Sequence, residues 1–306
     1  MRIVFIGQAA FGKDTLQALI DQGENIVGVI TIPDIPGQKN PNPVKSLAEE
    51  KQLPCRQSAF LKSPADLAWV AERQPDLLVL AFVTAFVPQE MIDLATHGGI
   101  NYHPSLLPRY RGGSAINWAV INGETETGVT IHQIEAGVDT GPIVLQRTVP
   151  VEADDTVKSL YFGKLYPMGI EMVCEAARLI REGKATFTPQ DESRASFQPV
   201  IKATDTVIDW QQPTRKVYDL IRGANPSPGA GTAFKRETFK IFDARPIEVE
   251  TSSPAGSVID VTEDGITIAT ADGGILVQKV RYSGGKAVAY DFASATDLKP
   301  GDRLDG

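Results

Sequence analysis

The sequence predicts an α/β fold, a mostly parallel sheet with helices on both faces, followed by a small β-barrel. Apolar runs alternate with segments of helical periodicity up to about residue 184, as in consecutive βαβ units. After about residue 207, short alternating runs separated by turn residues replace that pattern, as in a small barrel. The 306-residue chain is 42% hydrophobic and 22% charged, an ordinary globular composition with room for one or two domains.

The elements of the first part follow from apolar runs and periodicity. Continuous apolar runs predict buried strands at residues 2–7, 25–31, 76–83 and 99–102. Helical periodicity predicts helices at residues 13–23, 44–53, 65–74, 87–95, 115–124 and 154–184. Residues 32–45 carry four prolines and a glycine, which predicts a loop. Residues 127–134 and 142–151 are a predicted strand pair around the loop EAGVDTG.

The second part is expected to hold one helix and then the barrel. The stretch TRKVYDLIRGANPSPGAGTAF predicts the helix and a proline–glycine turn, and the barrel strands are expected at residues 240–249, 256–261 and 265–282. The polar, irregular stretch between the two parts reads as a connector. The predicted boundaries are therefore a first domain at 1–188, a linker at 189–206 and a second domain at 207–306.

Charge and cysteine content restrict the function classes. The formal net charge is −8, and residues 207–306 hold 12 basic and 14 acidic side chains, which argues against a broad nucleic-acid surface but not against a local basic patch. Two cysteines without zinc spacing predict neither disulfides nor a metal site, and they favour a cytoplasmic location. The N-terminal residues read as a first strand and not as a signal peptide, and no apolar run reaches membrane-spanning length, so no membrane association is expected.

Three polar residues form the candidate catalytic set. Asn101 and His103 lie two apart at the end of a predicted strand, so their side chains should share a face. Both can donate hydrogen bonds to a developing oxyanion. Asp139, in the loop EAGVDTG, could orient the histidine or move a proton, and a turn or capping role is an equal alternative. Both loops are expected at the carboxyl ends of strands, where ligands bind in such sheets.

The other polar candidates carry less information. His132 alternates with apolar residues and reads as a packed strand residue, and His97 as a loop residue. Arg109 and Arg111 in RYRGG are either anion contacts or ion-pair partners. The nucleotide-binding glycine motifs and the G-x-S-x-G elbow are absent, so no nucleophile motif accompanies the three polar residues. Direct transfer of a group to an outside acceptor is therefore favoured.

The stretch NYHPSLLPRYRGGSAINWAVINGETETGVTIHQIEAGVDTGPIV resembles the signature of the folate-dependent formyltransferases. The resemblance covers most of the chain and includes DDTVKSLY, IDW and IRGANPSPGA. It implies a Rossmann-like formyltransferase domain that binds 10-formyltetrahydrofolate, followed by an OB-like barrel. It also implies an enzyme that releases tetrahydrofolate. The similarity is strongest to the hydrolase domain of 10-formyltetrahydrofolate dehydrogenase.

The resemblance assigns roles to particular positions. Asn101 and His103 would polarise the formyl carbonyl, and Asp139 would set the charge of the histidine and help to move protons. The expected folate contacts lie on two loops and are Phe82, Phe86, Val87, Pro88, Ile134, Gly137 and Val138. The expected contacts to the acceptor or an anion are Arg109, Arg111 and Gln8.

The formyl acceptor is expected to be an amine or water. A tRNA acceptor is disfavoured by charge, because the loop at 32–45 holds only Lys39 and Lys45 against Asp34 and the second domain is slightly acidic. The alternatives are a methionyl-tRNA formyltransferase, a sugar-nucleotide N-formyltransferase, a folate binder without activity, and an RNA-associated protein.

Overall fold

A computed structural model describes residues 1–37, 40–250 and 252–305, so Gln38 and Lys39 of the proline-rich loop lie outside it. The chain forms two compact units that interleave along the sequence. One contains residues 1–112, 128–149 and 164–197, and the other contains residues 113–127, 150–163 and 198–306. The contiguous boundaries expected from the sequence stay a prediction, since compactness in space does not show which segment folds alone. No helix of the described residues is long and apolar enough to cross a membrane.

The larger sheet has seven strands, in the order β3-β2-β1-β4-β5-β7-β8. Its first five strands run parallel, which confirms the predicted mostly parallel α/β sheet, and β7 pairs with β5 antiparallel. The strands of this part of the chain, including the two-residue β6, are β1 (Arg2–Gly7), β2 (Asn25–Thr31), β3 (Cys55–Gln57), β4 (Leu77–Ala81), β5 (Gly99–His103), β6 (Arg111–Gly112), β7 (Glu126–Gln133) and β8 (Ile143–Pro150).

Side-chain caps mark the start of two helices in this part of the chain. Asn42 accepts hydrogen bonds from two backbone N–H groups of α2, and Ser63 forms a capping box with Asp66 in α3. The first helix begins four residues before its predicted start, and Gly12 permits this because an added Cβ would lie 3.0 Å from the carbonyl carbon of Gly7. The helices are α1 (Ala9–Asp21), α2 (Pro43–Glu50), α3 (Pro64–Ala71), α4 (Gln89–Ile92), α5 (Ala115–Ile121), α6 (Val157–Leu160) and α7 (Tyr166–Arg181).

The second unit contains an antiparallel sheet whose strand order is β10-β11-β14-β13-β12, with β15 paired to β14. This agrees with the predicted small barrel-like domain. A core of buried side chains, among them Trp210, Phe239 and Phe292, packs between this sheet and its helices. The remaining elements of the chain are β9 (Phe197–Gln198), α8 (Thr214–Gly223), β10 (Ala230–Phe234), β11 (Glu237–Ile247), β12 (Val258–Thr262), β13 (Gly265–Ala269), β14 (Gly274–Tyr282), β15 (Gly285–Val288) and α9 (Ala289–Thr296).

Several elements differ from the sequence expectation. The predicted helix at 154–184 is interrupted by a π-helical turn at Tyr161–Leu165, between α6 and α7. The short edge strand β3 was not predicted, because its three residues are too few to show the two-residue period of a strand. Strand β10 lies in a stretch that was predicted as a turn, because its glycine and alanines carry a weak strand signal.

Candidate active site

Strand β5 presents Asn101 and His103 on one face of the sheet. Asn101 is opposite Leu80 of β4 on one side and opposite His132 of β7 on the other. Residues two apart on a strand share a face, and so do cross-strand partners. Three polar side chains, Asn101, His103 and His132, therefore point to the same side of the sheet, beside the carboxyl end of β5.

The loop that carries Asp139 reaches this face by an unexpected route. Because β7 runs antiparallel to β5, its carboxyl end lies beside Gly99 at the start of β5, where Ile134 N–H donates to the Gly99 carbonyl. Residues 135–141 follow the carboxyl end of β7, but because β7 is antiparallel this end lies at the opposite edge of the sheet from the carboxyl end of β5. The loop folds back over the face, and Asp139 reaches both histidines: its Oδ2 is 3.4 Å from Nδ1 of His103 and its Oδ1 is 3.4 Å from Nε2 of His132.

His103 is buried and holds a defined tautomer. Its Nε2 lies 2.7 Å from the carbonyl oxygen of Tyr110. Since a carbonyl oxygen only accepts, Nε2 carries the hydrogen, and Nδ1 is the atom at which the ring can gain a proton. Burial lowers the pKa of His103, and the nearby Asp139 carboxylate opposes this only in part. The ring is therefore neutral near pH 7, with its basic nitrogen facing Asp139.

Asp139 is held as an ionised carboxylate. Burial would raise its pKa, but the close contacts with His132 and His103 and the hydrogen bond from the Gly112 N–H together lower it to about 2. The Gly112 N–H donates to Oδ2 at 2.9 Å. Asp139 has a positive φ of 53°, a conformation that aspartate tolerates better than most residues. The side-chain amide of Gln190 donates to the Asp139 and Gly141 carbonyls, 2.8 Å each, and so fixes the loop.

The predicted folate contacts are placed on two loops, with unequal exposure. Phe82 and Phe86 after β4, and Val138 in the Asp139 loop, are exposed, whereas Val87 is buried in the core. Pro88 and Ile134 are half-buried, and Gly137 is exposed. A cleft of about 460 Å³, lined by Phe60, Lys62, Phe86 and Pro88 among others, lies at the loops after β3 and β4. Exposed aromatic side chains beside a cleft of this size fit a flat, largely aromatic ligand.

The predicted acceptor or anion contacts lie in different settings. Arg111 is buried and donates to Glu192 through two nitrogens and to Gln190 through Nε and Nη2. The ion-pair alternative therefore describes Arg111 in this structure. Arg109 is half-buried, with its guanidinium 5.4 Å from the centre of the Tyr110 ring. Gln8, at the end of β1, donates from Nε2 to Thr84 at 3.2 Å.

Sequence reasoning missed His132 and Gln190. His132 was expected to be a packed strand residue, and it is buried, but it also contacts Asn101 and Asp139. The seven-residue spacing from His132 to Asp139 within one predicted hairpin was the available signal. Gln190 lies 51 residues beyond Asp139, so no local pattern could connect the two.

Within the described part of the chain, no group of His, Cys, Asp and Glu side chains is arranged to hold a metal ion.

An amide donor, a neutral buried histidine and an ionised carboxylate on one face of a Rossmann-like sheet are together the kinds of group that can promote direct transfer of an acyl group. Comparisons with known proteins agree with this class. The family model described as "Formyl transferase" matches residues 1–164, and the model described as "Formyl transferase, C-terminal domain" matches residues 200–295.

The chain is 37% identical to a methionyl-tRNA formyltransferase of Geobacter metallireducens, over 99% of this chain and 98% of that protein. The solved structure of HypX from Aquifex aeolicus in complex with tetrahydrofolic acid has a TM-score of 0.68 and 22% identity, covering 96% of this chain and 47% of HypX. An N-formyltransferase of Helicobacter canadensis has a TM-score of 0.71 and 18% identity, covering 90% of this chain and 98% of that one.

This chain belongs to the formyltransferase family, whose members take the formyl group from 10-formyltetrahydrofolate.

Proposed function

We propose that this chain transfers the formyl group of 10-formyltetrahydrofolate to the amino group of methionyl-tRNA. The observation that carries the proposal is the end-to-end similarity to relatives named methionyl-tRNA formyltransferase, at 34–37% identity over 99% of the chain. Solved sugar N-formyltransferases are similar at 18–19% identity over 90% of the chain. These relatives favour methionyl-tRNA as the acceptor, which is the alternative that the charge of the sequence disfavours. A cytoplasmic location is part of the proposal.

The first step is attack of the acceptor nitrogen on the formyl carbon. A C–N bond forms, the carbonyl π electrons move to oxygen, and the resulting oxyanion accepts a hydrogen bond from Nδ2 of Asn101. Nδ1 of His103 takes the proton that the attacking amine loses, because burial keeps the ring neutral and the other nitrogen is already protonated toward Tyr110. The ionised Asp139 beside Nδ1 stabilises the imidazolium that forms.

The second step returns the proton. As the oxyanion collapses, the bond to N10 of the folate breaks, and the His103 imidazolium protonates N10, so that tetrahydrofolate leaves and the ring is neutral again. The products are the N-formyl amine and tetrahydrofolate, with no net uptake of protons. The folate ring system would be held between the exposed Phe82 and Phe86 on one loop and Val138 on the other.

A row of basic side chains supports a polyanionic acceptor. In the antiparallel sheet, Lys240 of β11 is opposite Arg281 of β14, which is opposite Lys286 of β15. Like charges opposite each other across strands destabilise a sheet, so three in a row call for a compensating anion. Lys240 and Arg281 also line a cleft of about 530 Å³ with Phe239 and Tyr282. Phosphates bind to such local cation clusters even when the net charge of the protein is negative.

The acceptor is tested by supplying purified protein with 10-formyltetrahydrofolate and one candidate at a time: methionyl-tRNA, an amino-sugar nucleotide, free methionine, or water alone. We expect tetrahydrofolate release together with formylmethionyl-tRNA, identified by mass, and slow release without tRNA. Equal release in water alone would instead support a formyl hydrolase. Formylation of the sugar nucleotide in preference to the tRNA would refute the proposal.

The basic row is tested by the salt dependence of tRNA binding. Arg281→Gln should weaken tRNA binding and reduce the slope of log affinity against log salt by roughly one. The control is Lys216→Gln on α8, which also removes one exposed positive charge from the same unit. Equal effects of the two variants would exclude a specific role for the row.

A further inference from the structure

His132 makes hydrogen-bonding contacts that the reaction steps do not yet use. Its side chain is buried in β7, and its Nδ1 lies 2.7 Å from the Gln133 carbonyl oxygen. Its Nε2 lies 3.3 Å from Nδ2 of Asn101 and 3.4 Å from Oδ1 of Asp139. Both ring nitrogens therefore face defined partners, and one of these partners is the proposed oxyanion donor.

The carbonyl contact determines the tautomer of His132. A carbonyl oxygen accepts hydrogen bonds and cannot donate, so Nδ1 of His132 carries a hydrogen. In the neutral ring, Nε2 then has a lone pair and accepts a hydrogen bond from an N–H of Asn101. In the protonated ring, Nε2 would instead donate to the Asp139 carboxylate beside it, and its hydrogen bond from Asn101 would be lost.

The tautomer in turn determines the orientation of the Asn101 amide. An asparagine amide can rotate by 180° and exchange its NH₂ group for its carbonyl oxygen, which would place a repulsive acceptor against an oxyanion. A lone pair on Nε2 of His132 selects the NH₂ group on this side. Because Nδ2 carries two hydrogens, one can bond to His132 while the other remains for the formyl oxygen.

We propose that His132 is a positioning residue that acts through Asn101: its ring, with Nδ1 protonated toward the Gln133 carbonyl, accepts a hydrogen bond at Nε2 from the Asn101 amide and so holds the NH₂ group directed to the reacting oxygen. The proposal rests on formyl transfer at this site, and it assigns no direct contact between His132 and the substrate. It distinguishes His132 from His103, which exchanges a proton with the reactants. A structural role for His132 would stabilise β7 without any dependence on Asn101.

The tautomer can be measured without substrate or activity. The chain has three histidines, His97, His103 and His132, so ¹⁵N-histidine labelling gives three ring spin systems, which single substitutions assign. We expect the Nδ1-protonated neutral tautomer for His132 and the Nε2-protonated neutral tautomer for His103 at pH 7.5. A His132 ring that is protonated on both nitrogens, or on Nε2 alone, would overturn the proposal even if the enzyme transfers formyl groups.

The link to Asn101 is tested by a double-mutant cycle. His132→Leu removes the acceptor and should lower kcat about 10- to 100-fold, while the KM for the folate changes less than about twofold. In an Asn101→Ala background, the same substitution should change kcat less than about twofold, because the residue through which it acts is gone. Full additivity of the two losses would refute the positioning role.

Two further variants complete the cycle. His132→Gln keeps a side-chain acceptor and should restore most of the kcat lost in His132→Leu. His97→Leu, at an exposed position outside the site, should retain wild-type kcat. Urea unfolding of each variant separates loss of fold from loss of rate. If the wild type transfers no formyl group to any acceptor, the proposed function fails, and the tautomer measurement still decides the orientation of Asn101.

Discussion

Two arginines on α8 bind the same buried carboxylate and differ strongly in exposure, which makes them a paired test of how burial sets the strength of an ion pair. Arg222 Nε donates to Asp219 at 2.6 Å, and Arg215 Nη2 lies 2.9 Å from the same oxygen. The side chains of Arg222 and Asp219 are 2% and 3% exposed, and that of Arg215 is 51% exposed. Arg222 also donates to the Asp155 carbonyl at 2.9 Å.

Replacing Arg222 by methionine keeps the apolar length of the side chain and removes its charge and donors. Breaking a buried ion pair from one side costs about 3–5 kcal/mol, because the other charge stays buried. Arg215 still neutralises part of the Asp219 charge, so we expect the lower end, about 3 kcal/mol of unfolding free energy. Arg215→Met should cost less than about 1 kcal/mol, since solvent screens an exposed partner.

The assay is urea unfolding at pH 7, followed by circular dichroism, with equal m-values as the check that both variants unfold from equally compact states. Asp219→Asn combined with Arg222→Met should be less destabilised than Arg222→Met alone, because the double variant leaves no buried charge unpaired. Equal losses in the two single arginine variants would refute the argument from burial.

Three further predictions concern the candidate active site. Asn101→Ala should lower kcat about 100- to 1000-fold in formyl transfer with little change in the KM for the folate, as loss of an oxyanion donor does, and an unchanged kcat would remove Asn101 from the reaction. Because burial lowers the pKa of His103 and Asp139 partly restores it, the acid limb of the kcat/KM–pH profile, which reports the free enzyme, should lie below pH 6.5, where the ring protonates. This limb should move lower still in Asp139→Asn, and a limb above pH 6.5 contradicts the argument. Gly141→Ala should lower both kcat and the free energy of unfolding, because the added Cβ would collide with the Gln133 carbonyl oxygen. The control Gly163→Ala, which adds a Cβ in open space, should resemble the wild type in activity and in its unfolding curve.

The parallel sheet and the pair Asn101–His103 were predictable because their signals are local. Buried parallel strands read as continuous apolar runs, and the predicted strands at 2–7 and 25–31 have the observed bounds. The two-residue period of a strand was enough to place Asn101 and His103 on one face. Their chemical roles stay predictions, since geometry shows proximity and not turnover.

The rest of the site depends on pairings between distant segments. The antiparallel direction of β7 places His132 opposite Asn101 and makes the Asp139 loop fold back over the sheet, and neither fact is written in the local sequence. Arg111 illustrates the same limit, because its partners Gln190 and Glu192 lie about 80 residues further along the chain. The sequence predicted two alternatives for Arg111, an anion contact or an ion-pair partner. Only the observed contacts with Gln190 and Glu192 distinguish between them.

The same limit applies to the argument about the acceptor from net charge. Residues 207–306 carry a net charge of −2 in total, which predicts weak attraction for a nucleic acid. The sheet register, however, brings Lys240, Arg281 and Lys286 into one row. A phosphate responds to charges within about 8–10 Å at physiological salt, which is the Debye length, and hardly to the total. Net charge therefore limits the long-range attraction between this protein and any nucleic acid, while strand register determines whether basic side chains gather into a surface that can bind phosphate.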